Sequence, residues 1–293
     1  MIEHEAPGDA PEAMRWTTLS KEGGSLTVIY HHDDEIADTL GHVGALRTHL
    51  ILGTLGNAFK RPTPETAHAL FERWKDEPWK THVEVHIGGS PTLDEHVERV
   101  FTVIFDRVQK ELKEQGRDIR LDPAIFKEHS PINTLIKTAI AYPWLYFRLH
   151  RTDHYTPATE SAIVYHPNKA IAMHELGHAL YYDQTEDKTK SSLLYLLPGF
   201  RSHQEWQASA NAMKRLDPGQ ERKDAMKILE PVWGLYVGSD IRAVLMPLVP
   251  GVADLTPHLG NILGHLASRL PFRRSSFGQP LETYPSSKTA SPV

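Results

Sequence analysis

The sequence predicts a mainly helical α+β protein with a small sheet. Long segments at residues 33–59, 92–115, 168–182 and 202–216 carry apolar side chains at the three- and four-residue spacing of an amphipathic helix. Short β-prone runs at 25–30, 82–87 and 160–165 lie between them, too few and too brief for an all-β fold. A chain of 293 residues with 40% hydrophobic and 24% charged residues has the composition of a globular protein able to bury a core.

Taken in order, residues 1–23 read as a flexible leader: acidic, Pro-containing, without the basic and apolar blocks of a secretory signal. Residues 25–30 follow a Gly-Gly break and read as a strand, and 33–59 as a helix with Ile36, Leu40, Val43, Leu46 and Leu50 on one side. Thr63-Pro64-Glu65 opens a helix to about Trp74, because Pro at the first helical position gives up an N–H that has no partner there anyway. The alternation at 82–87 reads as a strand, and 92–115 as a long helix with Leu93, Val97, Val100 and Val103 in its stripe. Pro123, Pro131 and Pro143 interrupt the next stretch. After the strand at 160–165, residues 168–182 are helical, 193–197 form an apolar run stopped by Pro198-Gly199, and 202–216 and 221–229 are further helices.

A formal net charge of -5 argues against a nucleic-acid partner, which calls for a basic face. The absence of cysteine excludes disulfides, thiolate metal sites and cysteine nucleophiles, so a bound metal needs His, Asp or Glu. No stretch reaches eighteen uninterrupted apolar residues, which predicts a cytoplasmic protein without a spanning helix. Residues 132–147 and 241–270 come nearest; they read as core helices and loops, with a peripheral membrane anchor as the alternative.

Chemistry concentrates at His174-Glu175-Leu176-Gly177-His178. On a helix, residues four apart share a face, about 5–6 Å between Cβ atoms, so both imidazoles can reach one tetrahedral ion. Glu175 flanks that ion and is placed to take a proton from water as a general base. A catalytic zinc site needs a third protein ligand and an open position. Glu205 is the leading candidate, because Ala208 and Ala212 line the same side of its helix and permit close packing. His203 and His154 are the rivals. The run at 160–165, just upstream of the motif, fits an edge strand that binds an extended substrate through its backbone. Tyr236, His203 and His154 are candidate donors to a developing oxyanion. The group His31-His32-Asp33-Asp34-Glu35 has metal-binding residue types but reads better as an acidic helix start.

The HExxH motif followed by Glu205 on an alanine-lined helix resembles the gluzincin class of zinc peptidases. Asp153-His154-Tyr155, Leu197-Pro198 and 234–238 (Gly-Leu-Tyr-Val-Gly) are in turn similar to a group of bacterial HExxH proteins. The resemblance covers roughly residues 150–240 and implies a zincin-like core over about 120–272; 24–119 reads as a helical N-terminal region that packs against or gates it, and the Ser/Pro-rich tail from 273 as disordered. It also implies Zn²⁺ on His174, His178 and Glu205, and hydrolysis of a peptide or protein substrate with Glu175 as base. The alternatives are a non-catalytic zinc module and a membrane-associated processing peptidase. In the thermolysin pattern an Asp four residues after the ligand Glu orients a zinc histidine, but Ser209 stands there. Asn211 and Asp183 are the candidates to replace it.

Overall fold

A computed structural model describes residues 13–31, 60–117, 153–195, 197–269 and 277–278. The helix expected at 33–59, residues 32–35, the Pro-punctuated stretch with 132–147, and most of the leader and tail lie outside them. The fold is mainly helical α+β, and the chain divides into two compact units, one ending at Gln184 and the other resuming at Thr185.

The first unit is built on a five-stranded mixed sheet in the order β1-β2-β3-β5-β4. Its strands are β1 (Met14–Leu19), β2 (Ser25–Tyr30), β3 (His82–Ile87), β4 (His154–Thr156) and β5 (Ser161–Val164). β2, β3 and β5 run parallel, and β1 and β4 add antiparallel edges. The register aligns Leu26 with Val83, and Val28 with Val85 and Ala162, which makes one face continuously apolar and buried. The other face is the more polar one: Thr27 pairs with Glu84 and Glu84 with Ser161, while Ile29 and Ile163 flank His86.

Helix α1 (Pro64–Trp74) packs on β2. Thr63 caps it by accepting from the Thr66 N–H at 3.3 Å. Helix α2 (Leu93–Glu114) starts with a full capping box between Thr92 and Glu95. It meets the polar face of the sheet through Arg99, which pairs with Glu84 at 3.5 Å and donates to the carbonyls of His82 and Thr159. Helix α3 (Lys169–Gln184) follows β5 and packs on it.

Two expectations change here. Residues 14–19, read as part of a flexible leader, form β1, because Thr17 and its neighbours pair with β2 along its whole length. The strand after residue 160 is not an edge: β5 is held between β3 and β4, and the edge beside it is the three-residue β4. β1, β2 and β3 belong to the same sheet as β5, on which α3 rests.

The second unit contains α4 (Lys188–Leu194), α5 (Phe200–Arg215), α6 (Gln220–Leu245), α7 (Pro250–Ala253) and α8 (Thr256–Ala267). The expected break after residue 229 is absent: α6 runs through Pro231. Proline removes one helical hydrogen bond. The freed acceptor is the Lys227 carbonyl, and the turn is braced from outside: the Asn261 amide donates to the Pro231 carbonyl at 3.1 Å, and α8 lies against this part of α6. The two helices approach backbone to backbone. A Cβ added at Gly238 would stand 2.7 Å from the Pro257 Cα, and one at Gly264 would stand 2.6 Å from the Pro231 Cα. The tail, read as disordered from 273, returns at Phe277, which is buried and packs edge-on against Trp233 with ring centroids 6.3 Å apart.

Candidate metal centre

Helix α3 carries the motif and is buried from Ala170 to Leu180 without a break. A helix covered on all sides must place its polar groups as carefully as its apolar ones, because each buried polar group needs compensation. Three anchors hold it. At its start, the Asn168 side chain accepts from the Ala170 N–H at 2.8 Å, and the Asp153 carboxylate accepts from the N–H groups of Tyr165 and His166 on the approach from β5. In the middle, the Trp74 indole donates to the Met173 sulfur at 3.0 Å. At the end, Asp183 accepts from the N–H groups of Lys80 and Thr81 and from the Thr81 hydroxyl, at 2.8–3.0 Å. Asp183 therefore ties α3 to the entry of β3, which is a different task from orienting a histidine.

Loss of water around Asp153 pushes its carboxyl up to about 6, against the two backbone N–H groups that favour the charged form.

His174 and His178 face each other with their Nε2 atoms 3.2 Å apart and their rings edge to face at 84°. Two ligands of a tetrahedral ion at the ordinary Zn–N distance stand about 3.3 Å apart, so the pair has the right spacing without a rotamer change. The donor atoms of His174, His178 and Glu205 all lie within 4.8 Å of one another, and all three residues are buried. Two neutral imidazoles and one carboxylate are the donor set that suits a divalent ion such as zinc. Among the described residues this is the one His/Asp/Glu group with such an arrangement. Glu175, next to the first histidine, is buried as well.

Helix α5 supplies Glu205. Ala208 and Ala212, expected to line its side, are fully buried, and Ser209 is buried beside them. The Tyr195 hydroxyl donates to the Glu205 Oε1 at 3.0 Å. Burial, with Tyr236 and Glu205 nearby, pushes that phenol well above its ordinary range, so it keeps its proton and remains a donor. Sequence reading passed over Tyr195 because it sits in an apolar run; a lone polar tip among leucines, ten residues before a ligand candidate, was the available signal. Tyr236, on α6, lies under the Arg201 guanidinium at 5.5 Å. His203 is exposed and stacks on Trp206, as expected two residues from a buried Glu205, where helical side chains point about 200° apart.

His154 stands elsewhere, with His96, His86 and His31 in a second imidazole cluster on the polar face of the sheet. His31 Nε2 is 2.9 Å from His86 Nδ1 with the rings stacked, and His86 Nε2 is 3.7 Å from the Glu84 carboxylate. Burial, then the facing His86, pushes His31 down to about 4; burial, then His154 and His86, does the same to His96. Of the group read as an acidic helix start, His31 is described, and it takes part in this cluster.

Compared with protein-family models, curated proteins and solved structures, the chain matches none.

Proposed function

We propose that this chain is a zinc-dependent metallopeptidase of the gluzincin type, with a zincin-like core centred on α3. The observation that carries the reading is the buried His174, His178 and Glu205 group, with donors within 4.8 Å, beside Glu175 on the same helix. A divalent ion held there supplies Lewis acidity, acidifying water and polarising a carbonyl oxygen. Glu175, one residue along from a ligating histidine, takes the proton from the attacking water at its carboxylate and delivers it to the leaving amine. Tyr195 holds the Glu205 carboxylate by its hydrogen bond, so the third ligand keeps one orientation. Tyr236, beside Tyr195, is the candidate donor to the developing oxyanion, with His203 as the alternative. β4, the sheet edge nearest α3, replaces 160–165 as the strand that aligns an extended peptide.

The second reading is a non-catalytic metal-binding module. The burial of His174, Glu175, His178 and Glu205, each 3–8% exposed, favours it, because a substrate has to reach the ion. Metal analysis and a peptide-pool assay separate the readings. Wild type and His203→Ala retain stoichiometric metal, whereas Glu205→Ala loses it. Glu175→Gln keeps the metal and loses hydrolysis by at least about 100-fold. Undiminished turnover in Glu175→Gln would remove the base. A metal-loaded wild type that cleaves nothing in the pool would favour the non-catalytic module, and a wild type without metal would overturn both readings.

A further inference from the structure

Outside the motif region, the most unusual surface belongs to the end of α6, α7 and α8. Large aliphatic side chains between residues 241 and 266 stand 46–75% exposed, among them Leu248, Val252, Leu259, Ile262, Leu263 and Leu266. On α8 the last four follow helical spacing and make an outward stripe, while Gly260 and Gly264 turn inward against α6. The helix is thus packed by its small residues and presents its large ones to the outside. Single exposed apolar residues are ordinary, but a continuous surface of this kind marks an interaction site.

The charges around it point to the occupant. From 243 to 268 the one charged side chain besides histidine is Asp254, and Arg242 neutralises it with contacts of 2.9 and 3.0 Å. Beyond Asp254 no acidic residue occurs until Glu282, and Arg269, Arg273 and Arg274 follow the apolar surface directly. A chain with net charge -5 therefore carries an uncharged apolar surface with the exposed Arg269 at its end and two more arginines next in the sequence. The exposed side chains are aliphatic, without the exposed Tyr and Trp that enrich the centres of protein–protein contacts. No described helix is long and apolar enough to cross a membrane, and α8, with 12 residues, spans only about 18 Å.

We propose that the 241–266 hairpin docks on an anionic phospholipid surface, burying its aliphatic side chains at the headgroup boundary while the exposed Arg269 meets a lipid phosphate. The Gly-mediated contact with α6 keeps the stripe in one orientation, so the hairpin enters as a preformed wedge. This inference stands apart from the metal centre and survives its failure.

The test is co-sedimentation of the full chain with vesicles of phosphatidylcholine alone and of equimolar phosphatidylcholine and phosphatidylglycerol. Wild type is expected to partition onto the anionic vesicles and to be released by salt. Leu259→Gln, Leu263→Gln and Leu266→Gln combined, all at solvent-facing positions, should weaken partitioning at least about tenfold. Arg269→Gln leaves the packing untouched and should cost about fivefold on anionic vesicles and nothing on neutral ones. Absence of wild-type binding, or binding unchanged in both variants, overturns the proposal. A wild-type dimer that the triple substitution dissolves, with no vesicle binding, assigns the surface to a second copy instead.

Discussion

Replacing Asp183 by alanine removes one carboxylate and strands three donors. The carboxylate accepts from the Lys80 N–H at 3.0 Å to each oxygen, from the Thr81 N–H at 2.8 Å and from the Thr81 hydroxyl at 2.9 Å. Asp183 itself is 3% exposed. A donor left unsatisfied on burial costs about 1–3 kcal/mol, and the hydroxyl can turn away, so the two backbone N–H groups set a loss of about 3–5 kcal/mol. For a unit of this size, 1 kcal/mol moves the melting temperature by about 2–4 °C, which predicts a fall of about 10 °C. Asp183→Asn keeps one carbonyl oxygen for Thr81 but turns an amide N–H₂ toward the Lys80 N–H, so it should lose about half as much. Differential scanning calorimetry at neutral pH reads both. A melting temperature of Asp183→Ala within 2 °C of wild type, or an asparagine variant less stable than the alanine, would refute the anchoring role.

Gly238→Ala gains about 1 kcal/mol of helix propensity but forces a Cβ to 2.7 Å from the Pro257 Cα, so thermal melting should show a net loss of about 2 kcal/mol. Gly251→Ala, with open space at its Cβ, is the neutral control. The imidazole cluster sets a pH dependence. His31 and His96 titrate near 4 in the folded chain against about 6.5 unfolded, so the unfolded state binds more protons in that window. Their contribution, up to about 3 kcal/mol for His31 and roughly half that for the more solvent-screened His96, is present above pH 6.5 and is lost as pH falls toward 4. Asp153, raised to about 6, acts in the opposite sense, its contribution fading as pH rises from 4 to 6, but it is one group against two. Urea midpoints measured from pH 7 to 4 should therefore fall, and His96→Gln should flatten the slope; a midpoint that climbs on acidification would contradict this.

The local signals in the sequence were strong where chemistry and geometry agree within a few residues. Thr63-Pro64 marked the start of α1, the apolar stripe marked α2, β-prone residues after a Gly-Gly break marked β2, and alternation marked β3. The HExxH spacing likewise identified two of the three grouped donors, and the small residues after Glu205 the third. What failed to show depends on partners distant in the chain. β1 is a strand because β2 lies beside it, and its alternately exposed pattern is weak alone. The turn of α6 at Pro231 is packed against Asn261 and Gly264, some thirty residues onward. Tyr195 meets Glu205 only after α4 turns, and the task of Asp183 is set by backbone groups of Lys80 and Thr81, a hundred positions earlier.

The indole of Trp74 and the sulfur of Met173 have a use that extends past packing. Both side chains are fully buried, and their hydrogen bond ends one residue before His174. The emission of that tryptophan is an internal lamp set against the motif helix, so paramagnetic ions such as cobalt or copper entering nearby would dim it while a diamagnetic ion would not. With the other five tryptophans replaced by phenylalanine, light from this one side chain would report arrival of a metal without an added label, in real time and without any substrate.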